Sequence, residues 1–173
     1  MKYLAAALAV APKKDIRYYL NGVLYDHIDR CWVATDGNCL IRTPNDTASI
    51  EGATGNLILP RDFVEALVKT KQKSTGLSVS DGFVVSGMFR CTHVDGVYPD
   101  WRRVIPTAVS GEVAQFNVDV LAKLAAANKA LGMKHYGCLI IEHNGKGPAL
   151  VKLQSGCVGV AMPFTPSLDG PTD

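Results

Sequence analysis

The chain has 173 residues, 47% of them hydrophobic and 20% charged, enough for one core-bearing domain or one domain plus part of another. Lys and Arg number 18 against 16 Asp and Glu, a formal net charge of +2, which excludes an all-over basic coat but allows a local basic face. Composition excludes a disordered chain, a collagen and a coiled coil, and the scattered cysteines (Cys31, Cys39, Cys91, Cys138, Cys157) form no Cys-x-x-Cys pair, which argues against a disulfide framework or zinc ribbon and suits a reducing cytoplasm.

The first eleven residues admit two readings. One Lys, a short apolar run and an Ala-Val-Ala ending resemble a signal peptide; Leu4 and Leu8, one turn apart, equally fit an Ala-rich amphipathic helix. No stretch is long enough to span a membrane. Residues 16–25 are rich in aromatic and β-branched side chains and predict a strand. Further strands are predicted at 31–35 and 39–42 around the turn Asp36-Gly37-Asn38, with a short one at 48–50.

A unit that occurs twice then begins. Residues 56–59 predict a strand, and Pro60 opens a helix with the apolar stripe Phe63, Val64, Leu67 and Val68 and a basic tail of Lys69, Lys71 and Lys73. Strands at 77–80, 83–86 and 88–94 follow, with Asp81-Gly82 as a hairpin turn. The order returns with a strand at 113–116, an N-cap at Asn117, a stripe of Val120, Leu121, Leu124 and Leu131, and a stop at Gly132. Strands at 136–142, 149–153 and 157–162 complete it, and residues 167–173 form a flexible tail. With the truncated opening segment this makes three βαβββ-like units, an α+β fold with helices on one face and antiparallel sheets on the other.

No catalytic constellation is present: there is no phosphate loop, nucleophile elbow or His-Glu-x-x-His. His27, His93, His135 and His143 stand singly. Asp26, His27 and Asp29 fit a polar hairpin turn, and Cys91 with His93 lacks two further ligands for zinc, so neither a metal nor a cofactor is expected. Lys69, Lys71, Lys123 and Lys129 lie on or beside helices, away from the apolar stripes. They are either ordinary solvated helix faces or groups presented to a phosphate backbone.

Asp15-Ile-Arg-Tyr-Tyr-Leu-Asn-Gly-Val-Leu-Tyr25, Val33-Ala-Thr-Asp-Gly37 and Tyr98-Pro-Asp-Trp-Arg-Arg-Val-Ile-Pro106 resemble, in order and spacing, motifs of the β sliding clamp of bacterial DNA polymerase III. Residues 1–106 resemble the clamp's middle domain; Phe116-Asn-Val118 and Val160-Ala-Met-Pro-Phe164 resemble the second half of its last domain. The resemblance implies a DNA-clamp fold, with a clamp-like domain at 1–108 and a third unit at 109–166. It also places a channel helix where the alanine-rich segment lies, which favours retention of that segment and a cytoplasmic protein.

By the same resemblance the chain is not an enzyme. It is expected to form a ring around duplex DNA, held non-specifically by Lys69, Lys71, Lys73, Lys123 and Lys129, with Arg102 and Arg103 as weaker candidates. It is expected to tether a DNA polymerase or other protein through a clamp-binding peptide. The pocket carried over by motif comprises Thr35, Gly37, Leu40, Pro106, Val160, Met162, Pro163 and Phe164. Two departures bear on peptide specificity: Asn38-Cys39 stands where the family has His-Arg, and Phe164 where it has Met.

The shortened form suggests a phage or mobile element. The alternative to a ring is a non-encircling interaction protein that keeps the pocket and competes for clamp partners; a third possibility is a secreted protein cleaved near Pro12. If units one and two pair within the chain, the third is left with an exposed helix stripe (Val120, Leu124, Leu131) and invites a second copy. Six helices, at roughly 10 Å each, leave a hole of roughly 9 Å. Twelve leave about 28 Å, so enclosing a duplex roughly 20 Å wide needs a tetramer, and a dimer would be an open half-ring.

Overall fold

The computed structural model describes residues 1–70, 76–133 and 138–164. Lys71, Lys73, the beginning of the 136–142 strand and the 167–173 tail lie outside the described residues.

The elements in chain order are α1 (Lys2–Val10), β1 (Gly22–Asp26), β2 (Cys31–Thr35), β3 (Cys39–Arg42), β4 (Leu57–Pro60), α2 (Arg61–Lys69), β5 (Ser78–Ser80), β6 (Phe83–Ser86), β7 (Phe89–Cys91), α3 (Val118–Ala130), β8 (Ile140–Glu142), β9 (Ala149–Lys152) and β10 (Val158–Ala161). An antiparallel seven-stranded sheet runs β4-β1-β2-β3-β10-β9-β8, and β5-β6-β7 form a smaller sheet. Helices α1, α2 and α3 cover one face of the large sheet. Leu4, Ala7, Phe63, Val64, Leu67, Val120 and Leu124 share a core with Val23, Tyr25, Trp32, Ile41 and Val151.

Local signals set the helix ends. The Asn117 side chain accepts the Asp119 amide at 2.8 Å, capping α3, and Gly132 ends it with φ +102°, a backbone shape that side chains disfavour. The Arg61 guanidinium donates to the Leu8 carbonyl at 2.9 Å and to that of Ala11, satisfying carbonyls at the end of α1. The alanine-rich opening segment is thus a packed helix, with Leu4, Ala6, Ala7, Leu8 and Val10 buried. Among the described residues no helix is long and apolar enough to cross a membrane.

Three strand expectations are corrected. Residues 16–25 are not one strand: the Asn21 side chain accepts the Asp15 amide at 2.7 Å and donates to the Asp15 carbonyl at 2.9 Å. This local pairing competes with a ladder. A 3-10 turn at Tyr18–Leu20 follows, and β1 begins only at Gly22. Residues 48–50 hold no strand, only an isolated bridge between Glu51 and Ser78 beside them. Residues 113–116 are irregular, tied by the His143 ring to the Ala114 amide at 3.1 Å and by the Gln115 carbonyl to the Phe164 amide at 2.8 Å.

The third unit is also not left unpartnered within the chain. β10 pairs with β3, Val160 opposite Leu40 and Ala161 opposite Cys39, and α3 lies along α1. Val120, Leu124 and Leu131 are buried, so the exposed stripe expected of them does not exist. The reason is the strand pairing itself: joining β10 to β3 brings α3 over the same sheet face as α1.

Candidate functional site

The second face of the sheet is covered by the connector between β7 and α3, residues 92–117, which is irregular apart from a 3-10 turn at Trp101–Val104. Leu24, Cys31, Val33, Leu40, Ile58 and Val160 pack there against Trp101, with Tyr19, Val94, Tyr98 and Ile105 around them. This two-sided burial explains why β1 is buried along its whole length. Polar pins hold the connector. The Trp101 indole N–H donates to the buried Asp26 carboxylate at 3.1 Å, and Arg102 bridges Asp26 at 3.0 Å and Asp29 at 2.7 Å. Burial pushes the Asp26 carboxyl up, but the Asp29 amide, the Trp101 indole and Arg102 outweigh it and leave it below the ordinary carboxylate range. The Tyr98 hydroxyl accepts the Thr35 amide at 3.0 Å. Arg102 therefore braces the connector.

Where the connector meets the β2–β3 turn and the end of β10, a mostly apolar cleft of about 180 Å³ opens. Thr35, Gly37, Leu40, Val160 and Met162 line it, together with Arg17, Leu20, Trp101 and Val104. A second cleft of about 300 Å³ continues past Asn38 and Met162, lined by Asp36, Asn117, Lys123, Pro163 and Phe164. The Met162 amide donates to the Asn38 carbonyl at 2.8 Å, so these shared residues form one wall between the clefts. Gly37 adopts φ +91°, a backbone shape that favours glycine; a Cβ there would meet only the movable end of the Arg17 side chain, at 2.9 Å.

Of the expected pocket residues, only Pro106 lines neither cleft. The connector contributes Pro99, Asp100, Trp101 and Val104 to the first cleft instead. Arg17, Leu20 and Trp101 were missed, although each lies inside one of the clamp-like motifs. Arg17 is fixed by Asp15 at 2.8 Å, and its hydrogen bonds hold that carboxyl at about 2.

The expected DNA-contacting lysines are not equivalent. Lys69 is exposed and paired with Glu65 at 2.8 Å, and Lys129 is exposed near the end of α3. Lys123 differs from both, because its ammonium is bound to the Asp36 carboxylate. Burial raises the Asp36 pKa, but Lys123 and the amides of Cys39 and Asn38 overcome that and leave it lowered. The stability this carboxylate contributes is thus present above its unfolded value near 3.8 and is lost as pH falls through the lower folded value. Burial pushes the Cys39 thiol up to about 12 and those of Cys31 and Cys157 to about 11, so they are packing groups rather than nucleophiles.

Across 95% of its length the chain superposes on the DNA polymerase sliding clamp of Pseudomonas aeruginosa, with a TM-score of 0.74 at 18% identity over 64% of that chain. The fold is that of a bacterial sliding clamp. The Helicobacter pylori β clamp bound to a DNA ligase peptide matches similarly, with a TM-score of 0.73 at 16% identity, covering 63% of that chain.

In sequence, the chain is 34% identical over 107 residues to the β sliding clamp of Proteus mirabilis, covering 54% of this chain and 28% of that protein. The β sliding clamp of Vibrio cholerae matches at 35% over 107 residues, covering 56% and 29%. No protein-family model matches. The chain is clamp-like in both sequence and fold, while its match spans less than a third of these curated clamps.

Proposed function

We propose that this chain is a clamp-like processivity factor, a non-enzymatic tether that assembles around duplex DNA and docks partner proteins by a short peptide in the cleft beside Met162. One observation carries the reading: β3–β10 pairing brings the Thr35–Leu40 segment and the Val160–Met162 segment, distant in sequence, into the walls of one apolar cleft. A fold neighbour bound to a DNA ligase peptide supports it. Assembly is supported by β8, which among the described residues ends the large sheet with Ile140 56% exposed, and by Val118 on α3, 74% exposed. Open edges and exposed apolar positions favour a second copy. Buried free thiols suit a reducing, cytoplasmic setting.

The test is sedimentation of the full chain with and without duplex DNA, alongside titration of a labelled peptide carrying a polymerase's clamp-binding motif. An oligomer that retains duplex and binds the peptide is expected. A monomer at high micromolar concentration that binds the peptide but ignores DNA would replace the ring with a non-encircling competitor for clamp partners.

DNA binding is expected to be insensitive to sequence and steeply salt-dependent. Replacing Lys69, Lys71 and Lys129 together with Glu should weaken it for every sequence alike and lower the salt slope by roughly two to three. Fluorescence anisotropy across a salt series measures this, and an unchanged affinity at low salt would sink the lysine assignment.

A further inference from the structure

We propose that Lys123 is a positioning residue for the cleft: from α3 it latches the Asp36 carboxylate and holds the Asp36-Gly37-Asn38 turn in the shape a docked peptide requires. The inference rests on the peptide-cleft reading above.

Asp36 is 6% exposed and organises the whole turn. Its Oδ1 accepts the amides of Asn38 at 2.8 Å and Cys39 at 2.9 Å, while its Oδ2 takes the Lys123 ammonium. Its backbone carbonyl accepts from Arg17 at 3.0 Å, and its amide donates to the Cys39 carbonyl at 3.3 Å. Asp36 thus holds Asn38, Cys39 and Arg17 directly, while the Gly37 amide donates to the Thr35 hydroxyl at 3.1 Å.

Lys123 supplies the only one of these contacts that comes from the third unit. It lies 87 residues from Asp36 and reaches across the line where β3 meets β10. This charge-assisted bond fixes the turn against α3, beside the Met162 amide bond to the Asn38 carbonyl that already joins the turn to the end of β10. Asn38 and Met162 line both clefts, so a shift of the turn changes both. Without Lys123, a nearly buried carboxylate keeps its two amide donors, the Cys39 thiol and the more distant Arg17 but loses its bonded ammonium, a state relieved by moving the turn toward water. The Lys123 side chain is itself 40% exposed, so its loss leaves no large cavity.

The experiment compares wild type, Lys123→Met and Lys123→Arg in the full chain. Amide hydrogen exchange at Asn38 and Cys39, followed by NMR, reports the latch without any ligand; titration with the labelled polymerase peptide reports the cleft. Lys123→Met is expected to speed exchange at both amides about tenfold and to weaken peptide binding about tenfold, with Lys123→Arg within about threefold of wild type on both. Melting temperature checks the fold, and Lys123→Gln replaces the Met variant if that one does not fold. Unchanged exchange overturns the latch. Faster exchange with unchanged peptide affinity overturns the positioning role. A wild type that binds no peptide at all overturns the cleft reading and this role with it, and the exchange data tell that failure from a failed latch.

Discussion

Replacing Met162 with Asp is expected to weaken binding of the polymerase peptide by at least about a hundredfold while the protein stays folded. Met162 lines both clefts, and its amide bond to Asn38 places it on the wall between them. A peptide that covers this point must strip water from whatever side chain stands there. For methionine that desolvation favours binding; for a carboxylate, with the nearby cations Arg17 and Lys123 already paired to Asp15 and Asp36, it costs roughly 3 kcal/mol or more, and each 1.4 kcal/mol is about tenfold in affinity. The fold survives because Met162 is 38% exposed, so in the free protein the new carboxylate reaches water. Titration of labelled peptide, paired with a thermal melt, separates the two effects. Equal binding by wild type and variant would place the peptide elsewhere.

Leu124→Ala is expected to destabilise the fold by about 3 kcal/mol, lowering Tm by about 6–12 °C. Leu124 is fully buried in the core that α3 shares with α1 and the sheet. Its end sits 3.1 Å from where a Cβ on Gly159 would lie, so it fills the space that this glycine leaves over β10. Truncation leaves a cavity that the crowded α1–α3 layer cannot close. Because the large sheet is continuous from β4 to β8, the melt is expected to remain a single cooperative transition in the variant as in wild type. Two separate transitions, or a loss below about 1 kcal/mol, would show that the third unit is not integrated with the first.

Some of this protein was determined by the sequence alone, because the forces concerned act within a few residues. The stripe of Phe63, Val64 and Leu67 sets α2 and the face it buries. Asn117 and Gly132 bound α3, and Asp81-Gly82, both at positive φ, turn β5 into β6. The motif resemblance named Thr35, Gly37, Leu40, Val160 and Met162, which are among the residues lining the first cleft.

Only the tertiary structure decided the rest. Pairing of β3 with β10 joins residues more than a hundred positions apart, and nothing in either strand's local pattern names the other. That pairing buried Val120, Leu124 and Leu131 within the chain, where the repeat pattern had left them exposed. The connector's choice of face is likewise non-local. β1 is buried on both sides and carries no alternation to reveal that Trp101 and Tyr98 cover it. Lys123 shows the limit most plainly. On the helix it is one more solvated or phosphate-facing lysine, and only the folded chain brings the buried carboxylate of Asp36 within its reach. Periodicity reports which side of an element is apolar; it carries no information about which distant charge the other side will meet.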